Sequence, residues 1–396
     1  MAKKRIGILT GGGDVPGLNT VIRDVTYRAR YEDYEVVGIR RGWGGLIYMD
    51  PEGKSDDSEH IINLNHQVVR SIGRTGGTIL RTSRTNPTKV TDEPDLFKYR
   101  GLKYDQLTDL TGDVLKNLDR LGIDTLIAIG GDDTLSYGQR LHEEGVRVVA
   151  VPKTMDNDVP GTDYCIGFST CVTRTIELTH ALRTTAGSHE RFLVIEVFGR
   201  YAGYTALLPT MAGAADRCVI PEHEFEIEHL AELLAEDRRN HPSKYAVVLV
   251  SEGARMKSDD MSFEGSESDQ YGHRKLGGIG DRVAARLKDL SPTYNQGRRV
   301  NIVNQRLGYL VRCGNPDALD SIVPMAFGNL ALGLILSNTS GRLVSVRNGV
   351  YDSVPIDVVT GRKKAVDLHK YYNVDRLRPI YKTLIRQPLF VMTSDV

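Results

Sequence analysis

The sequence predicts an α/β protein: two Rossmann-like, three-layer units with mostly parallel sheets, and an active site in the cleft between them. Three observations carry this. Apolar runs at 6–10, 34–39, 125–129 and 146–151 alternate with helical spacing at 18–30 and 104–121, the βαβα rhythm of a parallel, doubly wound sheet. Beyond a helical stretch near 170–184, runs at 191–197, 217–220 and 245–250 repeat the pattern. The runs at 125–129 and 146–151 also end in highly charged loops, and open α/β sheets bind ligands at the carboxyl ends of their strands.

The elements follow in order. The first strand, 6–10, leads through the glycine turn Gly11–Gly17 into a helix over 18–30. A second strand at 34–39 precedes a polar stretch, 50–70, that reads as loop, and glycines between 73 and 78 mark a tight turn. Leu107, Leu110, Val114, Leu115 and Leu118 give 104–121 a helical face. Residues 255–276 are polar and rich in Gly and Ser, the composition of a surface insertion.

Bulk properties narrow the function. The chain has 396 residues, enough for two or three cores. Its 51 basic and 51 acidic residues cancel, so no overall basic field draws it to nucleic acid or an anionic membrane. Cys165, Cys171, Cys218 and Cys313 show no CxxC spacing and read as reduced thiols. The N-terminal apolar run is too short for a signal sequence, and no later stretch approaches the ~20 apolar residues of a membrane span. A cytoplasmic location is expected.

Chemistry concentrates in two loops, Gly130-Gly131-Asp132-Asp133-Thr134 and Pro152-Lys153-Thr154-Met155-Asp156-Asn157-Asp158. Asp132 and Asp133 follow a glycine pair directly after a strand. In an extended segment they would point opposite ways and do different work, one of them holding Mg²⁺ between phosphate oxygens. A helix cap explains one aspartate but not two. Lys153 is a compact charge suited to a departing phosphate, and Asp156 or Asp158 can serve as base for a substrate hydroxyl. Phosphoryl transfer asks for little more than such a base, a metal and cations. The loop Thr10–Gly17 lets backbone approach an anion, though it matches neither a Walker loop nor GxGxxG. Arg84, Arg191, Arg200 and Arg312 stand near strand ends or glycine turns as candidates for anionic groups.

With these residues in view, the chain resembles the 6-phosphofructokinase family over about residues 5–350. The motifs are Thr10 to Asn19, Gly130 to Thr134, Pro152 to Asp158, Ile166 to Thr170, Val197 to Gly203, Ser251 to Gly253 and Gly308 to Arg312. The resemblance implies that Asp156 is the base for the sugar 1-hydroxyl, that Asp132 binds the magnesium, and that Thr154, Asp156 and Asp158 bracket the reacting end of the sugar. It further implies that Phe198, Gly199, Arg200, Glu252, Tyr309 and Arg312 contact fructose 6-phosphate, and that Arg191 reaches the 6-phosphate across a subunit interface. Gly12 and Arg84 would contact the phosphate donor. Arg299 and Arg306 are both eligible as a second cross-subunit arginine, with Arg306 favoured. The family's division places 1–167 with 311–361 on the donor side and 168–310 with 362–396 on the sugar-phosphate side.

Two departures from the ATP-using pattern concern the donor. Family members that use ATP carry glycine where Asp133 and Lys153 stand. A carboxylate at 133 would repel a nucleotide α-phosphate, and a lysine at 153 would add charge for pyrophosphate, which has no adenosine to supply binding energy; both resemble the pyrophosphate-dependent branch. Arg40 falls at an aromatic position that supports adenine, and Thr85 where ATP enzymes have Phe. The expectation is a reversible, Mg²⁺-dependent transfer from pyrophosphate to O1 of fructose 6-phosphate, in a homodimer or homotetramer with no nucleic-acid or membrane partner. The alternatives are the same transfer from ATP, a lipid or nicotinamide-nucleotide kinase, and a sugar-phosphate sensor without catalysis.

Overall fold

A computed structural model describes residues 4–90, 108–257, 263–268, 274–276, 278–361 and 364–381. Seven strands form one sheet: β1 (Lys4–Thr10), β2 (Tyr34–Ile39), β3 (Ile61–Leu64), β4 (Ile123–Gly130), β5 (Arg147–Pro152), and, much later in the chain, Arg342–Arg347 and Val350–Pro355. Its order from one edge is Val350–Pro355, Arg342–Arg347, β5, β4, β1, β2, β3; only the two outermost pairings are antiparallel. A second sheet is wholly parallel and contains β6 (Phe192–Val197), β7 (Arg217–Val219), β8 (Ala246–Ser251) and the strand Ile302–Arg306.

The central strands are buried along nearly their whole length because helices cover both faces, and their Val, Ile and Leu side chains suit that double burial. On one face the helices Leu18–Tyr31 and Leu319–Leu336 pack together, with Val21, Val25, Phe327 and Ala331 fully enclosed. The apolar core on this face continues without a break into the second sheet. The opposite face of the first sheet has its own core, built under Trp43–Tyr48, Thr111–Arg120 and Asp132–Glu143. Each buried Leu, Ile or Val contributes on the order of 1.5–3 kcal/mol.

Several boundaries differ from the sequence reading. The helix expected over 104–121 is Thr111–Arg120; Thr108 instead pairs with Val90, and 104–107 lie outside the described residues. The stretch 50–70 is not all loop. Ile61–Leu64 adds an antiparallel edge strand beside β2, with a short helix, His66–Val69, after it. Four residues with one buried side chain give too weak an alternation to read from sequence. Within 255–276, Phe263–Ser268 and Arg274–Leu276 pair as an antiparallel hairpin. The expectation about apolar stretches also needs correction. Leu319–Leu336, with a mean hydropathy of 1.7 over 18 residues, is long and apolar enough to cross a membrane. In the fold it is a core helix against Leu18–Tyr31 and β5, which accounts for its composition.

Candidate active site

Parallel pairing sets the strand ends side by side. Thr10 lies opposite Ile129, and Gly130 opposite Pro152, so the loops after β1, β4 and β5 emerge together. In the second sheet Val197 lies opposite Ser251, and Glu196 opposite Arg306, which groups Phe198–Arg200, Glu252 and the turn Gly308–Val311. The two sets face each other across a cleft of about 540 Å³. Gly12, Arg84, Asp132, Asp133, Lys153, Thr154, Asp156, Asp158, Phe198, Arg200, Glu252, Arg306, Tyr309 and Arg312 all line it.

The wall after β1, β4 and β5 is built on backbone. Gly12 adopts φ +77°, a region that favours glycine, and a Cβ there would stand 3.1 Å from the Lys153 Nζ. The ammonium donates to the Gly13 carbonyl at 2.6 Å. Burial, then the nearby Arg312 and Arg84 charges, pull the Lys153 pKa down to about 7, opposed by Asp14 and Asp158. Asp132 and Asp133 are not in an extended segment, contrary to the sequence reading. They form the first turn of Asp132–Glu143, where the helix dipole favours carboxylates, and both still reach the cleft.

The loop that carries Asp156 is held from within. Asn157 sits fully buried at φ +56°, a left-handed conformation that Asn tolerates. Its side chain donates to the Asp163 carbonyl at 2.9 Å and accepts from the Cys165 amide at 2.7 Å. Asp156 is thereby presented nearly buried; among the described residues Oδ2 has one long contact, 3.4 Å from the Arg200 amide, and Oδ1 has no partner. Burial first, then the Asp158 and Glu252 charges, raise its pKa well above the usual carboxylate value. A basic, unpartnered carboxylate is what proton abstraction from a hydroxyl requires.

The opposite wall carries cations and rings. Arg312 is anchored by the Asp14 carbonyl at 2.7 and 3.0 Å and by its carboxylate at 3.0 Å. Its guanidinium lies 5.3 Å from the Tyr309 ring centre and 6.0 Å from that of Phe198. Tyr309, 70% exposed at the rim, leaves its hydroxyl open to a ligand. Glu252 is pushed up to about 7 by burial, against the lowering effect of Arg200. Gly253 allows the tight return beside it, since a Cβ would fall 2.0 Å from the Arg200 carbonyl.

Some expected residues are placed differently. Gly199 lies just behind the wall, where its carbonyl accepts from the Gly253 amide. Arg191 is not brought to this chain's cleft. It precedes β6 at the end of that strand opposite Phe198. Of the two alternatives, Arg306 lines the cleft and Arg299 is exposed outside it. Arg40 also lies off the cleft, donating to the Ser58 carbonyl at 3.3 Å. The sequence reading missed Glu196, a buried carboxylate that holds Arg306 at 3.0 Å and the Gly280 amide at 2.8 Å. A lone glutamate inside a strand of apolar residues was the available signal.

Among the described residues no three carboxylate, histidine or cysteine side chains cluster as a ready-made metal cage. Mg²⁺ does not need one, since it keeps several waters and binds through one or two carboxylates plus substrate phosphates. Asp132 with Asp133 at the cleft wall fits that pattern.

Paired α/β sheets and a cleft lined by a glycine turn, buried carboxylates and arginines are the setting that phosphate transfer asks for. Comparison with known proteins gives the family. Residues 5–335 match the phosphofructokinase family model, and the chain belongs to that family. It is 38% identical over 372 residues to the pyrophosphate–fructose 6-phosphate 1-phosphotransferase of Streptomyces coelicolor, covering 93% of this chain and 98% of the relative. The enzyme of that name from Dictyoglomus thermophilum is 37% identical, with 94% and 98% covered. An ATP-dependent 6-phosphofructokinase of Streptomyces coelicolor is 35% identical, with 92% and 97% covered. Among solved structures, phosphofructokinase from Saccharomyces cerevisiae superposes with a TM-score of 0.69 at 25% identity, covering 90% of this chain and 45% of that one.

Proposed function

We propose that this enzyme transfers phosphate between pyrophosphate and fructose 6-phosphate, reversibly. The observation that carries the donor assignment is Lys153, buried over the glycine turn, with Asp133 on the same wall. Curated relatives at 36–38% identity bear the pyrophosphate-dependent name, which supports the same donor.

In the forward direction Asp156 takes the proton from the sugar 1-hydroxyl. O1 forms a bond to one phosphorus of pyrophosphate as the bridging P–O bond breaks, and inorganic phosphate leaves. Lys153 and Arg84 stabilise charge on the transferred and leaving groups. Thr154 and Asp158 bracket O1, while Phe198, Gly199, Arg200, Glu252, Arg306, Tyr309 and Arg312 bind the sugar phosphate, and Gly12 offers backbone to the donor. Mg²⁺ held by Asp132, beside Asp133, would neutralise phosphate charge as a Lewis acid. Arg191 completes the 6-phosphate site of a neighbouring subunit in a homodimer or homotetramer, in the cytoplasm.

The division of 1–167 with 311–361 against 168–310 with 362–396 is supported by which strands share a sheet. ³¹P NMR of the protein with fructose 6-phosphate, pyrophosphate and Mg²⁺ tests the function. Formation of fructose 1,6-bisphosphate and phosphate, and its reversal from products, is the expected result. No conversion in either direction would contradict it and favour the sensor.

A further inference from the structure

After Val350–Pro355, the last strand of the seven-stranded sheet, the chain comes back against the loop that carries Asp156. Lys364 is 3% exposed, and its ammonium donates to the carbonyls of Thr162 at 2.8 Å and Asp163 at 3.1 Å. Its own amide donates to the Asp158 carbonyl at 3.3 Å. All three acceptors lie in the loop that carries Asp156. The Asp163 carbonyl is also the one that Asn157 uses, so lysine and asparagine grip the loop from two sides. The next two residues attach to the opposite wall. Tyr204 Oη donates to the Ala365 carbonyl at 2.6 Å, and the Val366 amide donates to Glu222 Oε1 at 2.7 Å. That same oxygen accepts from the Gly203 amide at 2.9 Å, just beyond Phe198–Arg200.

We infer that Lys364 to Val366 form a strap that fixes the base loop against the sugar-side wall, with Lys364 a positioning residue for Asp156. A buried ammonium is costly unless its donors are used, and this one spends them on the carbonyls of a single loop. Burial lowers its pKa to about 8, and the neighbouring acidic groups Cys165, Asp163 and Asp158 favour its charged form. Lys364 does not line the cleft, so its effect on turnover passes through the loop. A misplacement of about 1 Å in a reacting group can cost on the order of 10²-fold in rate.

The inference rests on the reading of Asp156 as base. Its test is Lys364→Met, assayed with pyrophosphate and fructose 6-phosphate beside the unaltered enzyme, with hydrogen exchange followed by mass spectrometry. The expected result is a kcat lower by about tenfold or more, a KM for pyrophosphate within about threefold of the parent, and faster exchange confined to 156–163 and 199–203. A folded variant with parental kcat and parental exchange in these segments overturns the strap while leaving the function intact. Should the methionine variant not fold, Lys364→Gln, which keeps an amide donor, decides on the same readouts. If the unaltered enzyme shows no turnover, the reading of the cleft fails and the positioning role falls with it.

Discussion

Asp320 and Asp156 are both carboxylates in the interior, and the fold treats them in opposite ways. Asp320 accepts from Tyr164 Oη at 2.7 Å, the Gly167 amide at 2.7 Å, and the Thr170 amide and hydroxyl at 2.8 and 2.6 Å. Those amides open the helix Phe168–Ser188, so the carboxylate caps it and ties it to Leu319–Leu336. Asp156 receives a single long contact and faces two like charges. Burial raises the pKa of both, Asp320 to about 6, but only Asp320 has a full set of donors to offset it. On the proposed function, the satisfied carboxylate ties two helices together, and the unsatisfied one is left for chemistry.

The contrast can be broken by exchanging the consequences. The largest effect is expected from Asp156→Asn, which should lower kcat by about 10²–10⁴-fold. Its melting temperature should stay level or rise, because a repelled, unpaired carboxylate is gone; a marked fall in stability would make Asp156 another structural group. Next is Asp320→Ala. It strips a charged acceptor from several buried donors, each worth ~1–3 kcal/mol when left unsatisfied. Denaturant unfolding should show a large loss, whereas the folded fraction should keep its turnover per molecule.

Changing Asp133 and Lys153 together to glycine sharpens the comparison on the donor side. The loss of a charged contact to phosphate, ~1.5–3 kcal/mol, corresponds to about 10–100-fold in kcat/KM for pyrophosphate, and ATP use should emerge or rise. The smallest effect concerns Glu252. Its folded pKa of about 7 lies above the ordinary 4.5, so the folded state binds more protons between those values. Its contribution to stability is therefore present below pH 4.5 and lost as pH rises through 7. Glu252→Gln should flatten the decline in melting temperature over that window, and an unchanged profile would remove Glu252 from the set of strained cleft charges.

How much of this was legible in the sequence differs between the two regions. The cleft was readable because its strands are unbroken apolar runs and its loops follow directly, so motif and position coincide at Gly130–Pro152. The conformation of Asp132 and Asp133 was not, since a helix beginning on the residue after Gly131 lacks a Ser or Thr cap to announce it. Arg342–Arg347 joins β5 across nearly two hundred residues, and local spacing cannot show such a partner. Asp320 is one acidic residue in the first turn of Leu319–Leu336, and its partners Tyr164, Gly167 and Thr170 lie some 150 residues earlier. Lys364 sits in an unpatterned tail, and only the folded chain brings it under Asp158.

The most direct test of the central claim measures kcat/KM for fructose 1,6-bisphosphate formation with Mg²⁺, using pyrophosphate and ATP as donors at equal concentrations. The account predicts turnover with pyrophosphate and little or none with ATP. A preference for ATP would contradict the roles given to Asp133 and Lys153, while leaving the fold and Asp156 in place.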